Sequence, residues 1–521
     1  MASDFVLVVA AALSIAAVLW KLWKSRIKSS LLPPGPIGLP LIGHLHLLFA
    51  NPPHTVLQRL SARHGPIMSL RFGHVPVVVV SSPAAAKEFL KTHDAAFASR
   101  PPSAAGRIIV HYNADIVFAP YGDSWRHLRK IATLELLTAR RIDMFRGARM
   151  EEVRSMCRSL LVADDRETGI VDVRGRLTAL TFNLITFMLM GKCYFGKDTE
   201  NEEGAKKFLE VIASIFEVCG DFPLGDYFPW LPKFLDPTER RMHSLAKSFH
   251  EFLSDNITEH ENKKNNSEKN NIDKDFLDIL LSLRDNGNEH LQNKNIISIM
   301  TNLVTAGTDT SAVTLEWAMA ESIKNPTIAA KAREEIELVL GEKWRTKMVE
   351  EPDLSQLTYL QAIVKETLRL HPAGPLLVPH QSTEAVSNVM GYHVPRGTTV
   401  LINAYTIARD STAWGDDALL FRPERFLGTD LDIRGRDFEA VPFGSGRRQC
   451  PGMALALTTV HLTLANLLHG FEWREPSGES IDTSKEQYGL TLLLAKKLRL
   501  IATPRLEQGT LKLRSKESLE E

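Results

Sequence analysis

The stretch VPFGSGRRQCPG, residues 441–452, constrains the fold of this chain more than any other stretch. It places Cys450 in a basic, glycine-containing loop, directly before Pro451 and an apolar run with helical spacing. Because proline is favoured at the first position of a helix, the pattern predicts that Cys450 is the N-cap of a long helix. The helix dipole and the free amide groups at that end stabilise an anion, which predicts an easily formed thiolate.

Three kinds of site fit such a cysteine. A phosphate-binding loop requires a third glycine or a following lysine-serine pair, and GSGRRQ has neither. A nucleophilic cysteine requires a neighbouring histidine base, which the sequence alone leaves open. The third possibility is a thiolate ligand of heme iron, with the adjacent arginines facing the heme propionates.

Cysteine use and charge balance narrow the class of protein. The four cysteines of the 521-residue chain are far apart and form no C-x-x-C pair, which argues against a zinc knuckle or a disulfide scaffold. Sparse cysteines suit a reducing compartment.

The chain has 62 basic and 62 acidic side chains, whereas a general nucleic-acid binder needs a basic excess. We therefore expect no nucleic-acid partner.

Residues 1–24 predict a membrane anchor. Residues 5–20, FVLVVAAALSIAAVLW, contain one polar side chain, and the apolar stretch approaches the ~20 residues that span a bilayer. Tryptophans and lysines follow it in place of a small-residue cleavage site, which argues against a cleaved signal peptide. The basic residues lie on the carboxyl side, so the positive-inside rule predicts a single pass with the remaining chain in the cytosol. The N-glycosylation triplets at Asn256 and Asn265 would then be accidental.

The remaining chain reads as one large domain. Residues 25–40 form a basic and proline-rich connector, which is stiff because proline fixes φ. Residues 41–506 predict a mainly α domain with small β-sheets: residues 66–82 form an apolar hairpin pattern, and most later segments show apolar spacing near 3.6. The polar stretch 261–275 predicts a mobile surface loop, and residues 507–521 predict a charged tail.

KETLRL and FRPERF together contain the residues for an ion-pair cluster. Glu366 and Arg369 are three residues apart, so they share one helix face and can pair. Arg425 lies in a proline-interrupted loop and could join them. A lone pair of this kind is more often a solvated surface bridge that contributes little stability.

The run AGTDTS, residues 306–311, interrupts the longest predicted helix. Gly307 inside a helix costs ~1 kcal/mol relative to alanine, and the hydroxyl side chains compete with the backbone ladder. One interpretation has a threonine hydroxyl bonded to its own backbone and Asp309 on the solvated face. The other is a ligand groove, with Asp309 and Thr310 as a pair of proton donors.

The segment WRHLR places Trp125 and Arg129 four residues apart, on one helix face. They either pack at the surface or present an indole and a guanidinium donor together.

In their order along the chain, WRHLR, AGTDTS, KETLR, FRPERF and FGSGRRQCPG resemble the signature set of the cytochrome P-450 heme-thiolate monooxygenases. The anchor and the PPGP connector further resemble the plant microsomal type. The resemblance covers about residues 30–506. It implies the single large domain of that family behind an N-terminal transmembrane helix, held on the endoplasmic reticulum membrane with the catalytic domain facing the cytosol.

The resemblance also implies a role for each marked residue. Cys450 would be the axial ligand of the iron in heme b (iron protoporphyrin IX), with Phe443 packed on the thiolate side. The propionates of the heme would be bound by Arg448, Trp125, Arg129 and His380. Asp309 and Thr310 would deliver protons during dioxygen cleavage. Glu366, Arg369 and Arg425 would form a structural lock rather than a catalytic group.

The activity that follows is the hydroxylation of a small apolar plant metabolite, a flavonoid, another phenolic or a terpenoid, with O2. The electrons would come from NADPH through NADPH-cytochrome P-450 reductase. The expected cavity-lining segments are residues 107–119, 216–222, 302–306, 373–378 and 490–492, which are mostly aliphatic. In-chain hydroxylation of medium-chain fatty acids is an alternative that the residues leave open. A heme-thiolate isomerase or dehydratase, and a non-enzymatic heme sensor, would not need the Asp309–Thr310 pair.

Overall fold

The computed structural model describes residues 31–48, 52–111, 114–162, 168–196, 202–232, 236–264, 274–288, 291–507 and 509–511. The predicted membrane anchor, residues 1–24, lies outside the described residues, as do most of the tail and the centre of the polar 261–275 stretch.

In the described part, one helix is long and apolar enough to cross a membrane, Met453–Gly470, and 67% of it is buried inside the fold. We therefore interpret that helix as part of the core.

Helices account for most of the described chain, as the apolar spacing predicts. In chain order they are α1 (Pro53–His64), α2 (Pro83–Lys87), α3 (Asp94–Phe97), α4 (Ala104–Ile108), α5 (Asp123–Glu135), α6 (Ala139–Met144), α7 (Arg146–Ser159), α8 (Val173–Met190), α9 (Glu202–Gly220), α10 (Leu224–Tyr227), α11 (Pro237–Lys264), α12 (Phe276–Asp285), α13 (Asn293–Lys324), α14 (Pro326–Leu340), α15 (Thr358–Leu370), α16 (Ala404–Ile407), α17 (Ser411–Trp414) and α18 (Met453–Gly470). A π-helical turn, Glu88–Thr92, extends α2, and short 3₁₀ turns lie at Leu45–Leu47, Gly341–Lys343, Glu351–Gln356, Pro423–Phe426 and Gly446–Arg448.

Small sheets surround the helices. Their strands are β1 (Ile67–Phe72), β2 (Val75–Val80), β3 (Ile170–Asp172), β4 (His380–Gln381), β5 (Val386–Val389), β6 (Tyr392–Val394), β7 (Thr399–Ile402), β8 (Phe471–Arg474), β9 (Glu486–Tyr488), β10 (Leu492–Leu494) and β11 (Arg499–Pro504). The four-stranded sheet has the order β1-β2-β7-β4, and β11 lies between β3 and β8 in a three-stranded sheet. The predicted hairpin at 66–82 is confirmed, with Ile67 opposite Val80 in an antiparallel β1–β2 pair.

Helix α13 runs through the centre of the domain. Its buried side chains include Trp317, which is fully buried and donates its indole N–H to the carbonyl of Leu492 in β10 at 2.8 Å. Where α13 crosses α8, a Cβ added to Gly307 would lie 2.8 Å from Cγ1 of Ile185. That separation is shorter than van der Waals contact, so glycine allows the two helices to approach closely.

The described part of the connector lies against the first sheet. The carbonyl of Pro34 accepts a hydrogen bond from the N–H of Ser69 in β1 at 2.8 Å. The imidazole of His44, which is buried, contacts the carbonyl of Pro36 at 3.0 Å. These bonds hold the proline-rich segment in a fixed position on the domain, in keeping with its predicted stiffness.

Candidate active site

A cavity of about 360 Å³ lies between the Cys450 loop and helix α13. The Cys450 loop contributes Phe443, Arg448 and Cys450 to its wall, and α13 contributes residues between Thr301 and Thr314. The five segments predicted from the sequence all contribute wall residues, among them Val117, Phe216, Ala306, Val378 and Leu490. The sequence did not predict the contribution of α8, which supplies Thr181, Leu184, Ile185 and Met188. The cavity therefore brings the cysteine and the AGTDTS run to opposite sides of one space.

The helix next to Cys450 begins later than the sequence predicts. Helix α18 starts at Met453 with Gly452 as its N-cap, so Cys450 lies two residues before the cap and Pro451 is outside the helix. The loop is shaped instead by Gly444 and Gly446, whose φ angles are 64° and 69°. At Gly446 a Cβ would collide with the carbonyl of Leu90, so this glycine serves close packing against the protein itself.

The predicted, easily formed thiolate at Cys450 needs a correction. Burial raises the pKa of the Cys450 thiol, although the N–H groups of Gly452 and Met453 and the Arg129 guanidinium act in the opposite direction. The protein alone therefore favours the protonated thiol. A bound metal cation deprotonates a coordinating thiol outright, so a thiolate at this position depends on the metal.

Arginine and histidine side chains lie in the cavity wall beside Cys450. Arg448 and His380 are buried, and Arg129 donates a hydrogen bond to the carbonyl of Gln449 next to the cysteine. His380 contacts the carbonyl of Phe97 through Nδ1 at 2.9 Å, and burial next to Arg100 lowers its pKa to about 3. His380 is therefore neutral at physiological pH.

Arg100 belongs to the same cluster and was not predicted from the sequence. It is buried and donates to the carbonyls of Val117, Val378 and Pro379. Its sequence context, a lone arginine between small residues and two prolines in ASRPPS, carries no signal that separates it from a surface arginine. The position becomes informative only when the fold brings it next to Arg448.

The cationic cluster has too few anions of its own. Burial and the neighbouring arginines lower the pKa of Arg100 well below its usual value and that of Arg448 to about 10. Within the part of the chain that the structure describes, Asp115 is the carboxylate that raises the pKa of both. Nη1 of Arg448 is buried and has no hydrogen-bond partner among the described residues. Buried charges need counter-ions and hydrogen-bond acceptors. The two propionates of heme b would supply both, so the residues present fit this group.

Trp125 does not offer its indole N–H to the cavity. The N–H donates to the carbonyl of Ile116 at 3.0 Å, and the guanidinium carbon of Arg448 lies 4.1 Å from the centre of the ring. The role of Trp125 as a propionate donor stays a prediction, because the contact that the structure shows for this N–H is with the backbone. Trp125 stacks under Arg448 and fixes the backbone of Ile116.

On the α13 side, the two interpretations of AGTDTS each hold in part. The hydroxyl of Thr310 donates to the carbonyl of Ala306 in its own helix at 2.7 Å. Asp309 is not on a solvated face, because its carboxylate accepts a hydrogen bond from Thr491 at 2.6 Å and burial raises its pKa. Ala306 and Gly307 line the cavity, so the predicted ligand groove is present. Thr310 lines it as well, whereas the Asp309 carboxyl is directed to Thr491.

The structure brings Glu366, Arg369 and Arg425 together. Arg369 donates through Nε and Nη2 to both carboxylate oxygens of Glu366, at 2.7 and 2.8 Å, and Arg425 donates through Nε at 2.9 Å. Glu366 and Arg369 have no exposed surface. The solvated-bridge interpretation is therefore wrong for this cluster.

The comparison with known proteins agrees with this geometry. Residues 33–502 match the family described as Cytochrome P450. The chain belongs to the cytochrome P450 family. A flavonoid 3'-monooxygenase of Petunia hybrida is 41% identical over 91% of this chain and 93% of its own length. A flavonoid 3'-monooxygenase of Arabidopsis thaliana is 39% identical, covering 93% of each chain, and cytochrome P450 71A1 of Persea americana is 41% identical over 88% of this chain and 91% of its own length.

Membership establishes the cofactor and the class of reaction. Proteins of the cytochrome P450 family bind heme b, and this cytochrome P450 is a heme-thiolate monooxygenase that acts on plant metabolites. A reductase, a small substrate and O2 are the partners of such an enzyme. The predicted cofactor and enzyme class are thereby confirmed.

Proposed function

We propose that this cytochrome P450 hydroxylates a neutral, flavonoid-type or other phenolic plant metabolite. The observation that carries the proposal is the distribution of charge in the cavity wall. Among the described lining residues, the arginines are Arg100, Arg129 and Arg448, which form the cluster beside Cys450, and the remaining wall is mainly aliphatic and aromatic. An uncharged, flat, apolar substrate suits such a wall. The two flavonoid 3'-monooxygenase relatives support the same class.

Within this proposal, Cys450 would hold the heme iron through its Sγ. The N–H of Cys450 donates to the carbonyl of Phe443 at 2.9 Å, which orients the loop on the thiolate side. Bound there, the heme supplies the redox chemistry that activates dioxygen. Arg448, Arg129 and Arg100 would hold the propionates. Neutral His380 donates through Nδ1 to the carbonyl of Phe97, which leaves its Nε2 as an acceptor.

Proton delivery is assigned to the α13 side of the cavity. Thr310 lines the cavity, and its hydroxyl donates a hydrogen bond to the carbonyl of Ala306. The hydroxyl oxygen can therefore accept a hydrogen bond from a donor in the cavity. Asp309 carries a raised pKa because of burial, so its carboxyl exchanges protons closer to neutral pH than an exposed aspartate does. We assign Asp309 to proton supply and Thr310 to proton positioning.

The proposal includes a membrane anchor at residues 1–24 and a location on the endoplasmic reticulum. Exposed apolar side chains in the described part support a bilayer-facing surface: Ile37 is 72% exposed, Leu41 77% and Trp230 72%. Hydrogen bonds from Gly73 to the carbonyl of Ile42 and from His74 to the carbonyl of Tyr227 bring these segments to the same hairpin turn. Apolar patches of this kind are typical of membrane contact.

NADPH-cytochrome P-450 reductase is the proposed electron donor. The basic residues expected to face an acidic partner are Arg126, Lys130 and Arg447. Two of them have carboxylate partners: Arg447 pairs with Asp94 at 2.7 Å, and Arg126 pairs with Asp123. These ion pairs reduce the positive charge that the surface offers, so we expect only a modest salt dependence of reduction.

A substrate panel tests the proposed activity. Membranes containing the full chain and added reductase are incubated with NADPH and, separately, a flavanone, a monoterpene alcohol and dodecanoic acid, and the products are identified by mass. We expect a gain of one oxygen atom on the flavanone. Turnover of the fatty acid alone would overturn the proposed substrate class. Heme-thiolate ligation is tested independently by the reduced carbon monoxide spectrum, with Cys450→Ser as the control.

A further inference from the structure

One irregular segment contributes three consecutive residues to the wall of the cavity. We call residues Asp115–Ala119 the wall segment; it contains neither helix nor strand, and its side chains Ile116, Val117 and Phe118 line the cavity. A backbone without helix or strand bonds must satisfy its polar groups through side chains. The partners of this segment therefore determine the shape of the cavity.

Two side chains accept hydrogen bonds from the N–H groups of the wall segment. Oδ1 of Asn302, on α13, accepts from the N–H of Ile116 at 3.0 Å and from that of Val117 at 3.2 Å. Oδ2 of Asp115 accepts from Val117 at 3.0 Å and from Phe118 at 2.8 Å. Asn302 is 4% exposed and Asp115 is fully buried, so water cannot replace either of them.

The carbonyl groups of the same segment are bound by the cationic cluster. Trp125 donates to Ile116 at 3.0 Å, Arg100 to Val117 at 3.0 Å, and Arg448 to Ala119 at 2.6 Å. The wall segment thus lies between an acceptor pair, Asp115 and Asn302, and the groups that would hold the heme propionates. A movement of either set moves the wall.

We propose that Asp115 and Asn302 are positioning residues that fix the wall segment and so determine which ligands the cavity accepts and how they lie. The inference rests on the proposed heme site but not on the proposed substrate class. Burial raises the pKa of Asp115 to about 6, and its bonds to Phe118, Val117 and Asn302 oppose that rise, which keeps the carboxylate ionised at neutral pH. The ionised form is the stronger acceptor for the two N–H groups.

Two iron-binding probes distinguish a change in the wall segment from a general change in the protein. Imidazole binds heme iron without reaching far into the cavity, whereas 1-phenylimidazole also contacts the wall. The dissociation constants of both are measured from the heme spectrum of the purified holoenzyme. In Asn302→Ala we expect the preference for 1-phenylimidazole over imidazole to change about tenfold, equivalent to ~1.4 kcal/mol.

Asn466 provides a matched control. It is as buried as Asn302, and its Oδ1 accepts from the N–H of Val349 at 3.0 Å, but it does not line the cavity. Asn466→Ala should lower the thermal stability by a similar amount and leave the ratio of the two dissociation constants unchanged. A similar change in the ratio in both variants would mean general loosening and overturn the proposal.

A conservative exchange keeps the test decisive if Asn302→Ala does not retain heme. Asn302→Asp keeps the oxygen acceptor but sets a second carboxylate beside Asp115, so we expect an altered ratio. Adding Asp115→Asn restores one carboxylate and one amide to the pair, and the ratio should return toward the wild-type value. An unchanged ratio in Asn302→Asp, or no rescue in the double variant, overturns the proposal. Absence of the thiolate-type spectrum in the wild type would count against the proposed function instead.

Discussion

The carboxylate of Asp309 accepts a hydrogen bond from the hydroxyl of Thr491 at 2.6 Å, which joins α13 to the segment before β10. Thr491 lines the cavity whereas Asp309 does not, so this contact links the buried carboxyl to a residue of the cavity wall. It also lowers the pKa of Asp309, against the larger effect of burial, which raises it. Thr491 therefore controls both the direction and the protonation of the proposed proton donor.

Removing this hydroxyl is expected to disturb proton supply. In Thr491→Val the pKa of Asp309 rises further, so the basic limb of the pH–activity profile, where the proton donor is lost, should move to higher pH. The carboxyl also loses its orienting partner, so product formed per NADPH should fall. Thr491→Ser retains the donor and should behave as the wild type. The measurement is NADPH consumption against product across the pH range. A profile in Thr491→Val identical to that of Thr491→Ser would contradict the role of the bond.

Thr310 is expected to affect coupling rather than stability. Its hydroxyl bonds to Ala306 within the helix, and alanine is a good helix former, so Thr310→Ala should fold and bind heme normally. Product per NADPH should nevertheless fall, with hydrogen peroxide in place of product, because a positioned proton-transfer group contributes about 10²–10⁴-fold to the step that it serves. Thr310→Ser serves as the control. Unchanged coupling in Thr310→Ala would remove the proposed role.

The sequence allowed the main elements of the fold to be predicted, because helix periodicity and the hairpin pattern are local features. The signature stretches are local features as well, and several of the residues that they mark line the cavity, although their roles there stay predictions. Cavity segments such as those containing Val117 and Leu490 were also predicted. The contribution of Arg100 was not, since its role arises from a neighbour, Arg448, that lies far away in sequence.

Two detailed expectations failed for physical reasons. The helix after Cys450 begins at Met453, because Pro451 and the N-cap Gly452 have turn rather than helical conformation. The pKa of Cys450 is raised because burial outweighs the stabilisation of an anion by the nearby amides, and the depth of burial cannot be read from local sequence. The donation of Trp125 to Ile116 is likewise a tertiary contact without a local signal.

Arg448 is expected to govern heme retention. Its Nε and Nη2 are bonded to the carbonyls of Ala98 and Ala119, which leaves Nη1 for a propionate. Arg448→Gln should therefore lose heme during gel filtration several-fold faster than the wild type. The adjacent Arg447 is half-exposed and pairs with Asp94, so Arg447→Gln is a matched control that should retain heme. Equal heme loss in both variants would refute the assignment.

Acid should destabilise the protein through His461 on α18. Its Nε2 is buried without a partner among the described residues, and burial, with Arg434 and Lys365 nearby, lowers its pKa to about 4 from 6.5. Between these values the unfolded chain binds a proton that the folded protein does not, so stability is lost as pH falls below 6.5. His461→Leu should gain about 2 kcal/mol relative to the wild type between about pH 7.5 and about pH 5.

Thermal unfolding midpoints at the two pH values measure this effect. His243 is exposed on α11, so its imidazole stays in water in both states, and His243→Leu should keep the acid dependence of the wild type. If His461→Leu loses as much stability in acid as the wild type, His461 is not the group responsible.

Glu366 is expected to be the largest single contributor to stability among the signature residues. Its carboxylate is the acceptor for both Arg369 and Arg425, and all three side chains are almost fully buried. Removal of one partner from a buried ion pair leaves uncompensated charge and costs ~3–5 kcal/mol. Glu366→Ala should therefore yield little heme-containing protein, whereas Glu202→Ala, which breaks the exposed pair with Lys206, should change the unfolding midpoint very little.

Because the cluster does not line the cavity, any Glu366 variant that does fold, such as Glu366→Asp, should keep the wild-type carbon monoxide spectrum and coupling. Altered coupling in a folded Glu366→Asp protein would show that the cluster acts on the reaction as well as on stability.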